Sequence, residues 1–521
     1  MRNKRLREDM FIMRNIYIEK KEKLMLAIYM ILIFSASYIF YTKVEPIMIC
    51  DTDDWNYISS TRLAIPLWGN WNPSKVFPET LMGLCGFFAA YVIYPLLGDY
   101  IFSLTYVFAF VVSTFIVLYI AALLFFVKKI LSMTMQGALV CSLIAYLLHF
   151  LFMLHPGTNN IFMFTASNLN CFANYTIPAL LCLSLALYFV QKYLFDSNSL
   201  LHNENLSDRQ NIIKIGVMAF LIYLCIFSNM VCNIIIIAPF IYMFSTIFLR
   251  QIKDSGIKKV FSLSNIKRYA LFIYVFGLEL ICLIFEYNGG RAQDLNFSGG
   301  GAICDIIIDI KYILVSMNKK VAVICVILIF SAIFMYICRK RRNLINGTDN
   351  IYAKALRIIL FSFILILFYI LLLYIRIGLH KLQRAENIFV IYIFFGSAVT
   401  VSIGYILNLY RKMWILVPIV LYMMVTTTIF GDYKQSISYY LGDTELCYMV
   451  NNNIIEQYKH AEYMGLDNFD LHVPESGLGS YPHTANVISN TLYKHGITSK
   501  RIQANMVLES IDYFFGANRP Y

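Results

Sequence analysis

Long apolar blocks, separated by short polar segments, dominate the chain from residue 24 onward. Each block is long enough to cross about 30 Å of hydrocarbon as a helix, which takes about 20 residues. The pattern predicts an all-α polytopic membrane protein with about eleven spanning helices. The predicted spans are residues 24–42, 101–127, 135–153, 176–191, 215–229, 230–249, 269–286, 321–338, 358–375, 388–409 and 413–430.

A further block, residues 79–97, is also apolar enough to span. It is bounded by Pro78 and contains Pro95, with Gly83 and Gly86 between them. Counting it as a span would reverse the sides of the loops that follow and place basic residues outside. We therefore expect a helix that lies in the outer interface or dips partway into the membrane.

Positive charge between the spans is distributed unequally. With the tail left out, 27 Lys and Arg fall on one side and 10 on the other, and residues 1–23 hold eight of the 27. This bias places the N-terminus in the cytoplasm and the C-terminus outside. It predicts a transmembrane domain, residues 1–430, with an outer catalytic loop over 43–100, and an extracytoplasmic segment, residues 431–521, here called the tail. Four tail histidines lack the spacing of metal ligands, and we expect them on the surface: His460, His472, His483 and His495.

Composition excludes two broad classes, soluble domains and nucleic-acid-binding proteins. The chain is 59% hydrophobic and 14% charged, whereas ordinary soluble domains are about 25% charged. The net charge of +12 is spread between apolar blocks, so it does not form the basic face that a nucleic acid partner needs.

The first block follows a long basic segment and is predicted to be a retained signal anchor. High Ile, Asn, Lys and Tyr content is typical of an AT-rich bacterial genome, which indicates a bacterial cytoplasmic membrane.

Three carboxylates follow the first span, in the segment 51–57, here called the acidic loop. Asp51, Asp53 and Asp54 are followed by Trp55 and Tyr57, and Asp51 and Trp55 are candidate substrate-binding residues. Carboxylates in such a place can act as a general base or bind a divalent cation, since one carboxylate beside another has a raised pKa. The alternative is an acidic helix end that the two aromatic residues anchor at the interface.

Polar and aromatic residues persist in two further outer segments. Arg62, Trp68 and Trp71 lie beyond the acidic loop, where the indoles can stack on the apolar faces of sugar rings or serve as interface anchors. The asparagine loop, residues 155–175, has no charged residue apart from a histidine. Its amides can hydrogen-bond a hydroxyl-rich ligand or cap helices. Its candidate ligand-binding residues are Asn168, Asn170, Asn174 and Tyr175.

Basic residues also occur outside, against the topology bias. The basic loop, residues 376–387, contains Arg376, His380, Lys381 and Arg384, and Arg291 lies in another outer loop. A lipid phosphate would account for cations in this position. The alternative is pairing with a neighbouring glutamate or with lipid headgroups.

The whole pattern resembles the GT-C superfamily of membrane glycosyltransferases. The resemblance is sharpest over residues 51–129, where Asp53, Asp54 and Trp55 match the acidic motif that follows the first span. Asn174 and Tyr175 resemble a motif that opens a later span in some bacterial members. The resemblance implies a polyprenyl-phosphate-linked sugar donor, a glycan or lipid acceptor and contact with membrane lipid.

This resemblance also implies roles for residues. Asp53 or Asp54 would deprotonate the acceptor hydroxyl, which would attack the anomeric carbon with inversion. The leaving phosphate would meet positive charges, which Arg291, Arg376, Lys381 and Arg384 would supply. The resemblance leaves the cofactor open, and the candidate is a divalent cation at the acidic loop.

Two other classes compete with this interpretation. A transporter or flippase of lipid-linked saccharides would need polar groups in mid-membrane, and Glu279 is the main ionisable residue within a predicted span. A non-catalytic membrane assembly factor would leave the acidic loop and the outer cations without a shared purpose.

Overall fold

The structure, a computed structural model, describes twelve stretches of the chain. In these stretches the regular structure is helical, except for one two-stranded sheet near the C-terminus. The described residues are 2–49, 51–60, 74–153, 169–195, 209–256, 263–288, 302–377, 385–410, 418–419, 422, 444–475 and 484–510.

Most helices belong to an apolar bundle, and they are numbered here in chain order. The first eight are α1 (Arg2–Ile39), α2 (Thr52–Tyr57), α3 (Val76–Phe88), α4 (Tyr94–Leu97), α5 (Tyr100–Ile130), α6 (Met135–Leu151), α7 (Leu169–Cys171) and α8 (Ile177–Phe195). Wider π-type turns, Phe40–Val44, Ala89–Ile93 and Phe172–Thr176, extend α1, join α3 to α4 and join α7 to α8. The next seven are α9 (Arg209–Ile226), α10 (Met230–Ser255), α11 (Leu263–Tyr287), α12 (Ala302–Ser316), α13 (Lys319–Arg341), α14 (Gly347–Ile377) and α15 (Ala385–Leu409).

In the described residues, nine helices are long and apolar enough to cross a membrane, judged by length and composition. Eight of them coincide with predicted spans, and two shorter apolar helices, Met135–Leu151 and Asn211–Ile226, coincide with the predicted spans 135–153 and 215–229. The prediction of a helical, polytopic membrane protein is therefore confirmed. The predicted span 413–430 lies almost entirely outside the described residues.

Polar contacts define one end of the bundle. Glu22 in α1 accepts a hydrogen bond from Lys128 near the end of α5, at 2.8 Å. Asp349 in α14 accepts one from Tyr405 near the end of α15, at 2.6 Å, and Gly404 lies against the end of α5. The ends of α5 and α15 and the start of α14 therefore lie together.

The opposite end, here called the site end, carries the acidic loop. Near the start of α5, the Thr105 hydroxyl donates to the carbonyl of Ile47, just beyond α1, at 2.7 Å. The backbone N–H of Asn318 donates to the carbonyl of Phe152, which ties the start of α13 to the end of α6 at 2.9 Å. Since α14 is 31 residues long, it extends about 46 Å and ends on this side. The helix ends that flank the basic loop thus lie at the site end.

The block predicted as an interfacial or dipping helix forms one of the nine long apolar helices, Val76–Leu97. Phe77 near its start contacts Phe115, halfway along α5, with ring centroids 6.1 Å apart. Its end returns to the start of α5 through Gly98, whose φ of 73° lies in the left-handed region that glycine adopts without strain. The helix therefore runs back along the half of α5 that is nearer the site end.

The tail folds into a small helical and β unit that was not predicted from the sequence. Its helices are α16 (Thr444–Tyr463) and α17 (Thr484–Lys494), and its strands are β1 (Asn468–Pro474) and β2 (Gln503–Glu509). The strands pair in parallel, with Leu471 opposite Met506. A two-stranded sheet is marginal alone, but here Leu471 of β1 and Tyr458 of α16 are both fully buried, and the Tyr458 ring contacts Phe469 of β1 with centroids 5.0 Å apart.

Candidate functional site

The acidic loop folds as the short helix α2, and its own carboxylates cap the N-terminal end. Asp51 is the N-cap, and its Oδ1 accepts the backbone N–H of Asp54 at 3.0 Å. In return, Asp54 Oδ2 accepts the backbone N–H of Asp51 at 3.3 Å. This reciprocal capping box satisfies N–H groups that a helix start leaves unpaired.

Asp54 also joins the acidic loop to the asparagine loop. Its Oδ1 accepts the backbone N–H of Asn170 at 2.6 Å, and the Asp54 side chain is fully buried. Asn174 then donates from Nδ2 to Asn170 Oδ1 at 2.5 Å and to the Asn170 carbonyl at 3.1 Å. The two polar segments predicted from the sequence therefore meet, and the amides of Asn170 and Asn174 hold each other.

Asp53 differs from both of its acidic neighbours because its side chain is exposed. Within the described part of the chain, no side chain or backbone group engages its carboxylate. Asp53 stands on a helix whose start is fixed by Asp51 and Asp54. Of the three acidic residues, Asp53 is the exposed one, whereas Asp51 is partly exposed and Asp54 is buried.

Trp55 lies inside the protein. It is fully buried, and its indole stacks on the ring of Tyr100 with centroids 6.4 Å apart. This contact fastens α2 to the start of α5. It leaves the indole no face for a sugar ring, although the sequence had placed Trp55 among the candidate substrate-binding residues.

The far end of α2 is held by the tail. Thr491 donates its hydroxyl to the Trp55 carbonyl at 2.6 Å. The Lys494 ammonium donates to the Ser59 carbonyl at 3.0 Å. The C-terminal carbonyls of α2 and of the turn after it are thus capped by residues more than 400 positions away.

His495 completes this contact between the tail and α2. The prediction that His495 lies on the surface is wrong. Only 2% of the residue is exposed. Nε2 lies 3.1 Å from the Ile58 carbonyl and Nδ1 lies 2.6 Å from the Tyr100 hydroxyl. Burial, and to a smaller extent the adjacent Lys494, lowers the pKa of His495 to about 4. The ring is therefore neutral at pH 7, donating from Nε2 to Ile58 and accepting at Nδ1 from Tyr100.

Glu279, the ionisable residue noted within a predicted span, lies in a buried polar pair. Asn233 in α10 donates from Nδ2 to Glu279 Oε2 in α11 at 2.7 Å. Near the start of α10, the Cys232 thiol donates to the Tyr175 carbonyl at 3.3 Å. The pair thus lies next to the asparagine loop, in the half of the bundle nearer the site end.

The remaining candidates fall outside the described residues, or their side chains do. Arg376 belongs to the last turn of α14, but its side chain is not among those described. The other candidates outside the described residues are Arg62, Trp68, Trp71, Asn168, Arg291, His380, Lys381 and Arg384. Their roles stay predictions.

The described carboxylates do not form a set that fits a divalent cation. Asp51 and Asp54 use carboxylate oxygens in the capping box. Among the described residues, no group of three or more His, Cys, Asp or Glu side chains could hold a metal ion.

Sequence reasoning assigned no residue of the tail to this site. Thr484, Thr491 and His495 are all buried against the acidic loop. Spacing offered one signal, since Thr484, Thr491 and His495 recur at intervals of seven and four residues, which places them on one face of a helix. Nothing in the sequence identified α2 as the surface that this face covers.

Comparison with known proteins gives one likeness in fold. No protein-family model matches the sequence, and no curated protein matches it. The chain is similar to the crystal structure of the Archaeoglobus fulgidus oligosaccharyltransferase complex with Zn and sulfate, with a TM-score of 0.41 and 14% sequence identity. The likeness covers 90% of this chain and 61% of that one, so this chain spans less than two thirds of its length.

Proposed function

We propose that this protein is a membrane glycosyltransferase of the GT-C type. It would transfer a sugar from a polyprenyl-phosphate carrier to a hydroxyl of a cell-surface glycan or lipid. The site end would face the extracytoplasmic side, as the distribution of Lys and Arg predicts. One observation carries the proposal: α2 presents the exposed carboxylate of Asp53, while Asp51 and Asp54 hold the helix start.

The structure favours different roles for the two carboxylates between which the sequence could not choose. Asp53 is free to accept the proton of the acceptor hydroxyl. Asp54 is engaged with the backbone N–H groups of Asp51 and Asn170, and these hydrogen bonds stabilise its charged form. We therefore assign Asp53 as the general base and Asp54 as the residue that positions it.

The proposed reaction is a single displacement. The acceptor O–H bond breaks as its proton passes to an Asp53 carboxylate oxygen. The acceptor oxygen bonds to the anomeric carbon, and the bond from that carbon to the phosphate oxygen breaks, which inverts the anomeric configuration. The negative charge that develops on the phosphate calls for fixed cations. Arg291, Arg376, Lys381 and Arg384 are the candidates, since the sequence places them in predicted outer loops.

The asparagine loop would bind sugar hydroxyls beside this base. Asn174 is buried, and its Oδ1 has no hydrogen-bond partner among the described residues. A buried amide oxygen without a partner is costly, and a ligand hydroxyl would satisfy it. Tyr175, next to it, is partly exposed.

The buried pair of Asn233 and Glu279 supports a second candidate, a flippase of lipid-linked saccharides. A carboxylate within a membrane span is a functional candidate in its own right. A flippase would depend on Glu279 for moving its cargo and would not need Asp53 as a base. The two functions therefore differ in which carboxylate is essential.

The test is a deletion strain complemented with wild type, Asp53→Asn, Glu279→Gln or Asn56→Ala. Asn56 is exposed on α2, so Asn56→Ala controls for a general change of the loop surface. The readouts are the sugar composition of the cell surface and the pool of polyprenyl-phosphate sugar in extracted lipid. The transferase predicts that Asp53→Asn loses one surface sugar and accumulates its carrier, while Asn56→Ala behaves as wild type.

Three other results of the complementation test would contradict the proposed transferase. If Asp53→Asn restores every surface sugar at normal protein level, the base assignment fails. If Glu279→Gln alone abolishes the decoration, the flippase becomes the better account. If the empty vector loses a surface sugar and all the variants restore it, a non-catalytic assembly role is favoured.

A further inference from the structure

We infer that the tail is a positioning device for the candidate base, with Thr491 as the residue that couples the two. This inference rests on the proposed function for its catalytic part, because it concerns the geometry of Asp53. Its structural part, that the tail keeps α2 folded, stands on contacts alone.

The acidic loop cannot hold its helix unaided. At six residues, α2 is far below the length of about 12–15 residues at which isolated helices become marginally stable in water. The local sequence supplies a cap for the N-terminal end only, through Asp51 and Asp54. The last carbonyls of any helix need partners from elsewhere.

Thr491 supplies the central partner. Its hydroxyl donates to the Trp55 carbonyl at 2.6 Å and lies 2.8 Å from the Ser59 hydroxyl, from which it accepts. Thr491 and Ser59 are buried, so water does not compete for these hydrogen bonds. Lys494 and His495, in the next turn of the tail, cap the carbonyls of Ser59 and Ile58.

Two other contacts hold the start of the acidic loop. The Thr52 and Thr484 hydroxyls lie 2.6 Å apart and are both buried. Before α2, the Ile49 carbonyl accepts Nδ2 of Asn451 at 2.9 Å. The tail therefore contacts the chain before, within and after the helix that carries Asp53.

Asp53 itself is left uncovered by this arrangement. Thr52 on one side is bound to the tail, and Asp54 on the other side is bound to the asparagine loop. The exposed carboxylate lies between these two fixed points. The tail thus sets where Asp53 stands without contacting its carboxylate, which makes Thr491 a positioning residue.

The experiment compares Thr491→Val with Thr491→Ser in the full-length protein. Valine keeps the shape and loses the hydroxyl, whereas serine keeps the hydroxyl. Ser489→Ala is the matched control, because Ser489 also has a buried hydroxyl in α17. That hydroxyl accepts the backbone N–H of Ile502, just before β2, at 3.0 Å. Purified protein in detergent is followed by hydrogen exchange of peptides covering 51–60 and 484–509, and the complemented strain is followed by its surface sugar.

The positioning role predicts that Thr491→Val raises exchange within 51–60 about five- to tenfold, the factor expected for one net buried hydrogen bond. The surface sugar should fall with it, Thr491→Ser should restore both, and Ser489→Ala should leave 51–60 unchanged. Unchanged exchange in Thr491→Val overturns the inference. So does raised exchange with full transfer, or an equal effect of Ser489→Ala, which would mean general tail stability. Failure of the proposed function would appear separately, as full complementation by Asp53→Asn.

Discussion

The carboxylate of Asp54 accepts the backbone N–H of Asn170, with 2.6 Å between Oδ1 and N. This hydrogen bond joins segments 116 residues apart, and its acceptor, Asp54, is fully buried. Charged acceptors make stronger hydrogen bonds than neutral ones. The acidic motif therefore contains one buried carboxylate, Asp54, that is held by backbone N–H groups, beside one that is exposed, Asp53.

Asp54→Asn should loosen both loops at once. The amide keeps the size of the side chain but has one acceptor oxygen in place of two, so it cannot satisfy Asn170 and the Asp51 cap together. Hydrogen bonds to a charged group are worth about 1.5–3 kcal/mol, so exchange should rise at least tenfold in peptides covering 51–60 and 169–176. Asp53→Asn is the control and should leave exchange unchanged. Equal exchange in the two variants would contradict the separate roles.

Gly86 is a second point at which the acidic loop depends on close packing. A Cβ built on Gly86 would lie 2.0 Å from the Ile58 carbonyl oxygen, which is a backbone atom that cannot turn away. Gly86→Ala should therefore separate α3 from the loop and cost about 1–3 kcal/mol. A thermal unfolding scan should show a lower Tm.

Gly277→Ala is the control for this change, because nothing lies within 4 Å of a Cβ at Gly277 in α11. Alanine also has the higher helix propensity, so this variant should unfold at the wild-type temperature or slightly above. If both alanine variants unfold at the wild-type temperature, the loop does not pack on Gly86 as described.

The sequence predicted the membrane helices well and the site only in part. Long apolar runs such as Tyr100–Ile130 carry their own signal, because the bilayer fixes the length of a spanning helix. The acidic motif and the asparagine loop were also visible, since polar residues stand out in an apolar chain. Their contact through Asp54 and Asn170 was not, because pairing across 116 residues leaves no periodic trace.

The tail shows why the remainder of the site could not be predicted from the sequence. Its two parallel strands are seven residues each and are separated by α17, so neither is stable without its partner. His495 was expected on the surface because histidines without ligand spacing usually lie there. Its burial comes from a surface, Ile58 and Tyr100, that only the folded bundle creates.

His495 makes the attachment of the tail sensitive to acid. Its pKa is about 4 in the folded protein because of burial and the neighbouring Lys494, against about 6.5 in an unfolded chain. The unfolded state therefore binds more protons between these values, and stability falls as pH falls from about 6.5 to about 4. From about pH 7.5 upward this contribution is constant, because His495 is then neutral in both states.

The measurement is Tm against pH for wild type and His495→Gln. Glutamine can donate to Ile58 and accept from Tyr100 but does not titrate. The variant should have a smaller loss of Tm between pH 7 and pH 4.5, and the carboxylates common to both proteins cancel in the difference. Parallel curves would show that His495 is not buried as a neutral ring.

Asn233 and Glu279 offer a test of the buried pair that does not depend on the reaction. Their side chains meet at 2.7 Å between α10 and α11, and hydrogen bonds between membrane helices couple by about 0.6 kcal/mol on average and up to about 1.7. Asn233→Leu and Glu279→Leu should each lower the unfolding free energy, and the double variant should lose less than the sum. A double-mutant cycle in detergent, with Glu279→Gln as the variant that keeps an acceptor for Asn233, measures the coupling. Additive losses would mean that the two side chains do not bind each other, and the flippase alternative would then lose the observation that favours it.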